Sequence, residues 1–330
     1  MRCAVIGAGA WGTALADLLS SNGHETLIWA YERDVTETIN RCQENRFLRG
    51  AKLSTALRAS SELGEVLEGA ALIVFATPSH HLRRIAKSGA SSVRADSVIA
   101  VATKGIERGS LALMTSVVEA EVGARAVVGI SGPSFASEVI ARQPTAIVAA
   151  STDEEAAILV QGALSSAAFR VYTNDDVTGV ELGGALKNVM AVATGIVEGA
   201  GLGFNSRAAL ITRGLHEMTR LGVTLGAQAA TFAGLAGVGD LVLTCTGALS
   251  RNRAVGIEIG RGASLEAALA GKETVAEGVF TTASALELAT KHGVDMPIVE
   301  MAHRILFDGY PARDAVPELM ARELRSEQDL

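Results

Sequence analysis

No stretch of this sequence concentrates positive charge. Its 29 lysines and arginines are outnumbered by 36 aspartates and glutamates, leaving a net charge of −7. Without a basic stripe to track a phosphate backbone, a nucleic-acid partner is not expected. Cysteine is scarce: Cys3, Cys42 and Cys245 are odd in number and show no C-x-x-C or Cys/His spacing. That pattern argues against a disulfide framework and against zinc, no metal site is expected, and a reducing, cytoplasmic setting fits best. Aromatic residues are only 4% of the chain, so alanine and glycine do much of the filling. No apolar run approaches a bilayer span without a charge or a proline. Met1 and Arg2 lead straight into the short Cys3-Ala-Val-Ile6, too brief for a signal sequence, so an untargeted protein with no integral membrane segment is expected.

What is present falls into two halves. The 330 residues suffice for two domains. Up to about Thr173, short Val/Ile-rich runs (Cys3–Ile6, Glu25–Trp29, Ala71–Phe75, Ser97–Val101, Ala126–Ile130, Ala146–Ala149, Phe169–Tyr172) alternate with amphipathic segments of helical length. Alternation of this kind predicts a mainly parallel sheet with helices on both faces. After Asp176 the strand-like runs give way to long Ala/Leu-rich segments with helical spacing, punctuated by glycine. The fold class is therefore α/β: residues 1–176 form a mainly parallel sheet domain, and residues 177–330 an all-helical domain. A cleft between the two is the expected site.

The first motif is Gly7-Ala-Gly-Ala-Trp-Gly12, which follows a strand and opens the helix Trp11–Ser21. In that context Gly7 permits the tight turn, Gly9 lets a pyrophosphate approach the main chain, and Gly12 brings helix and strand together. The helix N-terminus then offers free N–H groups to the anion. At the end of the second strand, Glu32 could hold a ribose 2′-hydroxyl and Arg33 a 2′-phosphate, or both could be the solvated first turn of the next helix. Lys104, in Ala102-Thr-Lys-Gly105, and Ser131-Gly-Pro-Ser-Phe135 each follow a strand, at the edge where such sheets bind ligands. Lys104 could polarise a carbonyl or meet a phosphate, and the second turn exposes N–H groups, although plain turn chemistry also accounts for Gly132-Pro133.

Lys187 is the only ionisable side chain between Glu181 and Glu198. An ammonium among small apolar residues is costly unless paired, deprotonated or in contact with a ligand. It shares a helix face with Gly183, Gly184, Met190, Ala191 and Thr194, whose small size leaves room for a ligand, and the apolar face would press the lysine toward neutrality. Asn188 points to an adjacent direction and could fix the lysine or a substrate hydroxyl. Asp240 and Thr244 lie one helical turn apart. Ser250 reads as an N-cap that places Arg251 and Asn252 in a first helical turn, a combination suited to gripping phosphate. His80, His81, His216, His292 and His303 show no metal spacing.

Together, Gly7–Leu15, Thr103-Lys-Gly105, Ser131–Ala136, Glu181–Asn188, Asn205, Ala208–Gly214, Gly239-Asp-Leu241, Thr244-Cys245 and Ser250-Arg-Asn252 resemble the bacterial soluble glycerol-3-phosphate dehydrogenase family over nearly the whole chain. The resemblance implies a Rossmann-like dinucleotide-binding domain over residues 1–176, an all-helical substrate-binding and dimerisation domain over residues 177–330, and a homodimer. It further implies interconversion of dihydroxyacetone phosphate and sn-glycerol 3-phosphate with NAD(P)H, the product feeding phospholipid synthesis. By position it implies Lys187 as proton donor and acceptor; Lys104, Gly132, Ser134, Asn188, Asp240, Ser250, Arg251 and Asn252 as substrate contacts; and Gly7, Gly9, Ala10, Trp11, Gly12, Tyr31, Lys104, Ala136, Arg251, Val275 and Glu277 as cofactor contacts. Gly247 stands where many members have serine, and Tyr31-Glu32 replaces a basic residue often found there, which leaves NADH against NADPH open. A hydroxyacid or ketopantoate-type dehydrogenase, and a dinucleotide sensor without catalysis, are the alternatives.

Overall fold

The computed structural model describes residues 1–123, 126–271, 276–324 and 326. They fall into two compact units, one of Met1–Lys104 with Ala112–Val180, the other of Gly105–Leu111 with Glu181–Leu330.

The first unit holds one eight-stranded sheet: β1 (Arg2–Ile6), β2 (Glu25–Trp29), β3 (Arg58–Ser60), β4 (Leu72–Phe75), β5 (Val98–Val101), β6 (Val127–Ser131), β7 (Thr145–Ala150) and β8 (Phe169–Asn174). The order is β3-β2-β1-β4-β5-β6-β7-β8, and every pairing is parallel except β6 with β7. β3 is the strand the hydrophobic pattern misses. With only three residues, Arg-Ala-Ser, it has no apolar run to announce it. β1, β4, β5 and β6 are apolar on both faces because both faces are covered, whereas the edge strand β8 buries Phe169 and Val171 and exposes Arg170 and Tyr172. Cys3, Val5, Leu72, Val74 and Ala100 point into a core completed by α1 (Ala10–Ser21), α2 (Arg33–Cys42), α6 (Ala136–Ile140) and α7 (Glu154–Leu164). Ala4, Ile6, Ile73, Phe75, Ile99 and Val101 point into a second core completed by α3 (Leu63–Leu67), α4 (Ser79–Gly89) and α5 (Met114–Val122).

The strand order reverses at β1, which sends its chain to β2 on one side and lies against β4 on the other. Ligands of open parallel sheets bind in the crevice beyond such a reversal.

The second unit is helical: the greater part of α8 (Val177–Gly199), then α9 (Phe204–Thr224), α10 (Ala229–Phe232), α11 (Asp240–Thr246), α12 (Arg251–Gly260), α13 (Leu265–Leu269), α14 (Glu277–Lys291), α15 (Pro297–Phe307) and α16 (Ala312–Met320). α8 is long and apolar enough to cross a membrane, yet nearly all of it is buried inside the protein, as the core helix about which this unit packs. Its junction with α12 is made main chain to main chain. A Cβ on Gly195 would stand 2.2 Å from the carbonyl oxygen of Arg253, and one on Gly256 2.1 Å from that of Val192. One turn further on, Gly199 meets Gly260 and Ile257 in the same way. Two G-x-x-x-G stretches therefore run alongside each other in the same sense, and only glycine permits the approach.

Candidate active site

In the sheet unit, β1 is followed by Gly7, whose φ of +117° is a conformation that favours glycine. Its N–H donates to Trp29 O at 3.1 Å. A Cβ at Gly12 would lie 1.9 Å from Gly7 O, so helix and strand meet here without a side chain between them. At Gly9, by contrast, a Cβ would touch nothing within 4 Å. This open space in front of the N-terminus of α1 is where a pyrophosphate would sit against free N–H groups. The turn is braced by Asn45, buried and 37 residues further on: its Nδ2 donates to Ala8 O at 2.8 Å and to Thr13 Oγ1 at 2.7 Å, while its Oδ1 accepts from Phe47 N at 2.9 Å. Asn45 escapes sequence reading because nothing local marks it. Trp11 Nε1, Thr77 Oγ1 and Ser131 Oγ are buried without a partner among the described residues. Thr77 and Ser131 follow or end strands at this same edge, leaving polar groups ready for a ligand. These features fit a dinucleotide. Tyr31 is exposed just past β2, edge-on to Trp29, and Ala136 opens α6. Glu32 is the N-cap of α2 and Arg33 its first residue.

Lys104, Gly132 and Ser134 come together. Gly132, at φ +132°, has no room for a Cβ, which would meet Ile147 Cα at 2.9 Å. Its carbonyl accepts from Lys104 Nζ at 3.4 Å and from Ser134 Oγ at 3.0 Å.

In the helical unit, Lys187 is 8% exposed and Asp240 1%. Lys187 Nζ donates to Asp240 Oδ1 and, at 3.0 Å, to Thr244 Oγ1, whose own proton goes to Asp240 O at 2.7 Å. The pairing changes the sequence reading. A lysine on an apolar face would shed its charge, but a buried carboxylate in direct contact favours the ammonium. The free space expected beside Gly183 is likewise filled, since a Cβ there would lie 2.4 Å from Ala236 O. That carbonyl belongs to a π-helical turn, Leu235–Gly239, which ends where Asp240 begins α11. The wider turn presses its main chain onto α8 and delivers Asp240 to the lysine, a placement that spacing alone does not reveal.

Asn188 turns to α12: Asn252 Nδ2 donates to Asn188 Oδ1 at 2.9 Å, and Asn252 Oδ1 accepts from Gly278 N at 2.9 Å. The two asparagines thus join α8, α12 and the first turn of α14. Ser250 caps α12 as expected, accepting from Arg253 N at 3.3 Å. Arg251 is exposed at the first position of that helix. Surrounding protein lowers its pKa by desolvation, and Glu277, first residue of α14, acts in the opposite direction. Arg251 and Glu277 are accordingly neighbours in charge. Cys245 is buried behind this cluster, its thiol pushed up to about 12 by burial, and so is inert as a nucleophile. Val275 lies outside the described residues.

A glycine-rich turn at the reversal of a parallel sheet, with a buried lysine–carboxylate pair and a capped, arginine-bearing helix start, defines a nicotinamide-dinucleotide oxidoreductase. The chain belongs to the NAD-dependent glycerol-3-phosphate dehydrogenase family, whose N-terminal model matches residues 2–157 and whose C-terminal model matches residues 176–317. It is 50% identical to glycerol-3-phosphate dehydrogenase [NAD(P)+] of Geobacter sp. (strain M21), covering 99% of this chain and 98% of the relative. The enzyme of the same name from Syntrophotalea carbinolica is 50% identical with both chains fully covered. The crystal structure of glycerol-3-phosphate dehydrogenase from Coxiella burnetii superposes with a TM-score of 0.93 at 41% identity, covering 97% of this chain and 98% of that one.

Proposed function

We propose that this protein interconverts dihydroxyacetone phosphate and sn-glycerol 3-phosphate, with Lys187 as the proton donor and acceptor. The observation that carries the reading is the buried Lys187–Asp240–Thr244 cluster. NAD(P)H, when bound, would supply the hydride for the substrate C2. Negative charge then grows on the C2 oxygen, and the Lys187 ammonium stabilises it and transfers a proton from Nζ. Asp240 balances the charge of the lysine before transfer, and Thr244 fixes the direction of Nζ. In the oxidative direction the neutral amine takes the hydroxyl proton back. Arg251, Ser250 and Asn252 hold the phosphate at the start of α12, and Lys104 with the Gly132–Ser134 turn orients the carbonyl end. The turn from Gly7 to Gly12, with Ala10, Trp11, Tyr31, Ala136 and Glu277, lines the dinucleotide.

Lys187→Ala is expected to lower kcat by about 10² to 10⁴-fold, the usual worth of a positioned acid, while NADH binding followed by fluorescence is kept. Turnover within about tenfold of the parent, less than roughly 1.4 kcal/mol, would refute the assignment. An assay at 340 nm with dihydroxyacetone phosphate separates the enzyme from a dinucleotide sensor, which would oxidise no NAD(P)H. We read residues 177–330 as the substrate and self-association domain of a cytoplasmic homodimer that supplies glycerol 3-phosphate for phospholipid synthesis. The exposed Leu202, Phe204, Phe280 and Phe307 of the helical unit support the self-association.

A further inference from the structure

Glu198 and Arg253 both stand at the wrong ends of their helices. Glu198 is in the last turn of α8, where the helix dipole disfavours an acid, and Arg253 is in the first turn of α12, where it disfavours a base. Neither placement helps its own helix, and each is offset by the other. Arg253 Nε donates to Glu198 Oε2 at 3.0 Å and Nη2 reaches Oε1 and Oε2 at 2.7 Å. Arg207 of α9 adds a bond to Glu198 Oε2 at 3.2 Å. The arginines are 14% and 17% exposed in their side chains and Glu198 33%, so the fork is held partly out of water. Arg253 also reaches back to Gly247 O at 3.5 Å, just past the end of α11, while its main-chain N–H is bound by the Ser250 cap. One guanidinium therefore ties the end of α8 and the end of α11 to the start of α12, enclosing the turn 247–252.

We propose that Glu198 is a positioning residue for recognition of the substrate phosphate: by fixing Arg253 it holds Ser250, Arg251 and Asn252 in the arrangement that receives the anion. The inference rests on the reading of that turn as the phosphate site. The fork engages the Arg253 guanidinium with Glu198, which is shared with Arg207, so that Arg251 is the arginine of the turn directed to substrate, and it sets where the N–H groups of the first turn of α12 point.

The test compares Glu198→Gln with the parent enzyme, using dihydroxyacetone phosphate and the phosphate-free dihydroxyacetone. Glu198→Gln should raise KM for the phosphorylated ketone about tenfold with kcat at saturation and KM for NADH within about twofold, and should leave kcat/KM for dihydroxyacetone unchanged. Glu198→Asp, which keeps the charge, should recover most of the lost affinity. Equal losses with both ketones, a fall in melting temperature with no change in KM, or a lower KM from an Arg253 released to bind phosphate would each overturn the proposal. Arg251→Ala separates the two levels. If it leaves KM for the phosphorylated ketone unchanged, the phosphate site itself is misplaced; if it raises that KM while Glu198→Gln does not, the positioning role alone fails.

Discussion

Lys187 shows how far a single residue can be read without coordinates. Its isolation among uncharged neighbours announces a task, and Asp240 and Thr244, at helical spacing, announce a shared face. What the spacing could not supply is that the two groups, 53 residues apart, meet. Glu32 and Arg33 stay side by side at the start of α2, and neither forms an ion pair among the described residues, whereas the next residue, Asp34, is taken by Arg46. Arg33 is exposed and positively charged beyond the end of β2, the position from which a 2′-phosphate is held. Arg33→Ala is therefore expected to raise KM for NADPH about tenfold, one charge-assisted contact, and to leave KM for NADH nearly unchanged. Equal changes for both cofactors would transfer the selecting role to Glu32.

Among the elements, α8 and α12 carry the arrangement. Their glycines read in the sequence as punctuation between helices, since glycine lowers helix propensity by about 1 kcal/mol relative to alanine. The structure places Gly195, Gly199, Gly256 and Gly260 inside helices, where close approach overrides propensity. Gly256→Ala tests which effect wins. Propensity alone would stabilise by about 1 kcal/mol, but the new Cβ must displace a carbonyl 2.1 Å away, and overpacking of a rigid main-chain contact costs typically 1–3 kcal/mol or more. The expected outcome is a melting temperature lower by several degrees, together with a raised KM for dihydroxyacetone phosphate as Asn252 draws away from Asn188. A melting temperature equal to or above that of the parent would show that the helices separate at no cost. The sheet was legible for the opposite reason: seven of its strands are long enough to show their apolar runs, while β3 and the π-turn before Asp240 have no pattern of their own.

At the scale of the whole molecule, one buried carboxylate outside the site sets a pH dependence. Glu217 of α9 is 1% exposed and accepts from Ile298 N at 2.8 Å and Val299 N at 3.3 Å, so it caps α15. Burial raises its pKa from 4.5 to about 7; the two N–H groups and Arg220 act to lower it, and Asp295 to raise it. The folded protein thus holds a proton that the unfolded chain gives up near pH 4.5. Between there and about pH 7 the folded state binds more protons, so this group's contribution to stability falls as pH rises, by about 3 kcal/mol over the interval at 1.36 kcal/mol per unit. Glu217→Gln is expected to flatten the slope of unfolding free energy between pH 5 and 7, measured by urea titration. An unchanged slope would show that Glu217 is ionised throughout. Nothing in the sequence distinguishes this glutamate from its solvated neighbours on a helix, because its partners are main-chain groups 81 and 82 residues away.

The crossing of α8 with α12 has a consequence for motion. A joint formed by side chains can relax through many rotamers, each giving the partners a slightly different spacing. Glycines pressed against carbonyl oxygens have no rotamers to exchange, so the separation of Asn188 from Asn252 is fixed by main chain rather than by side chains. Such a joint gains its constancy by surrendering the means of gradual adjustment, and when it fails it opens as a whole.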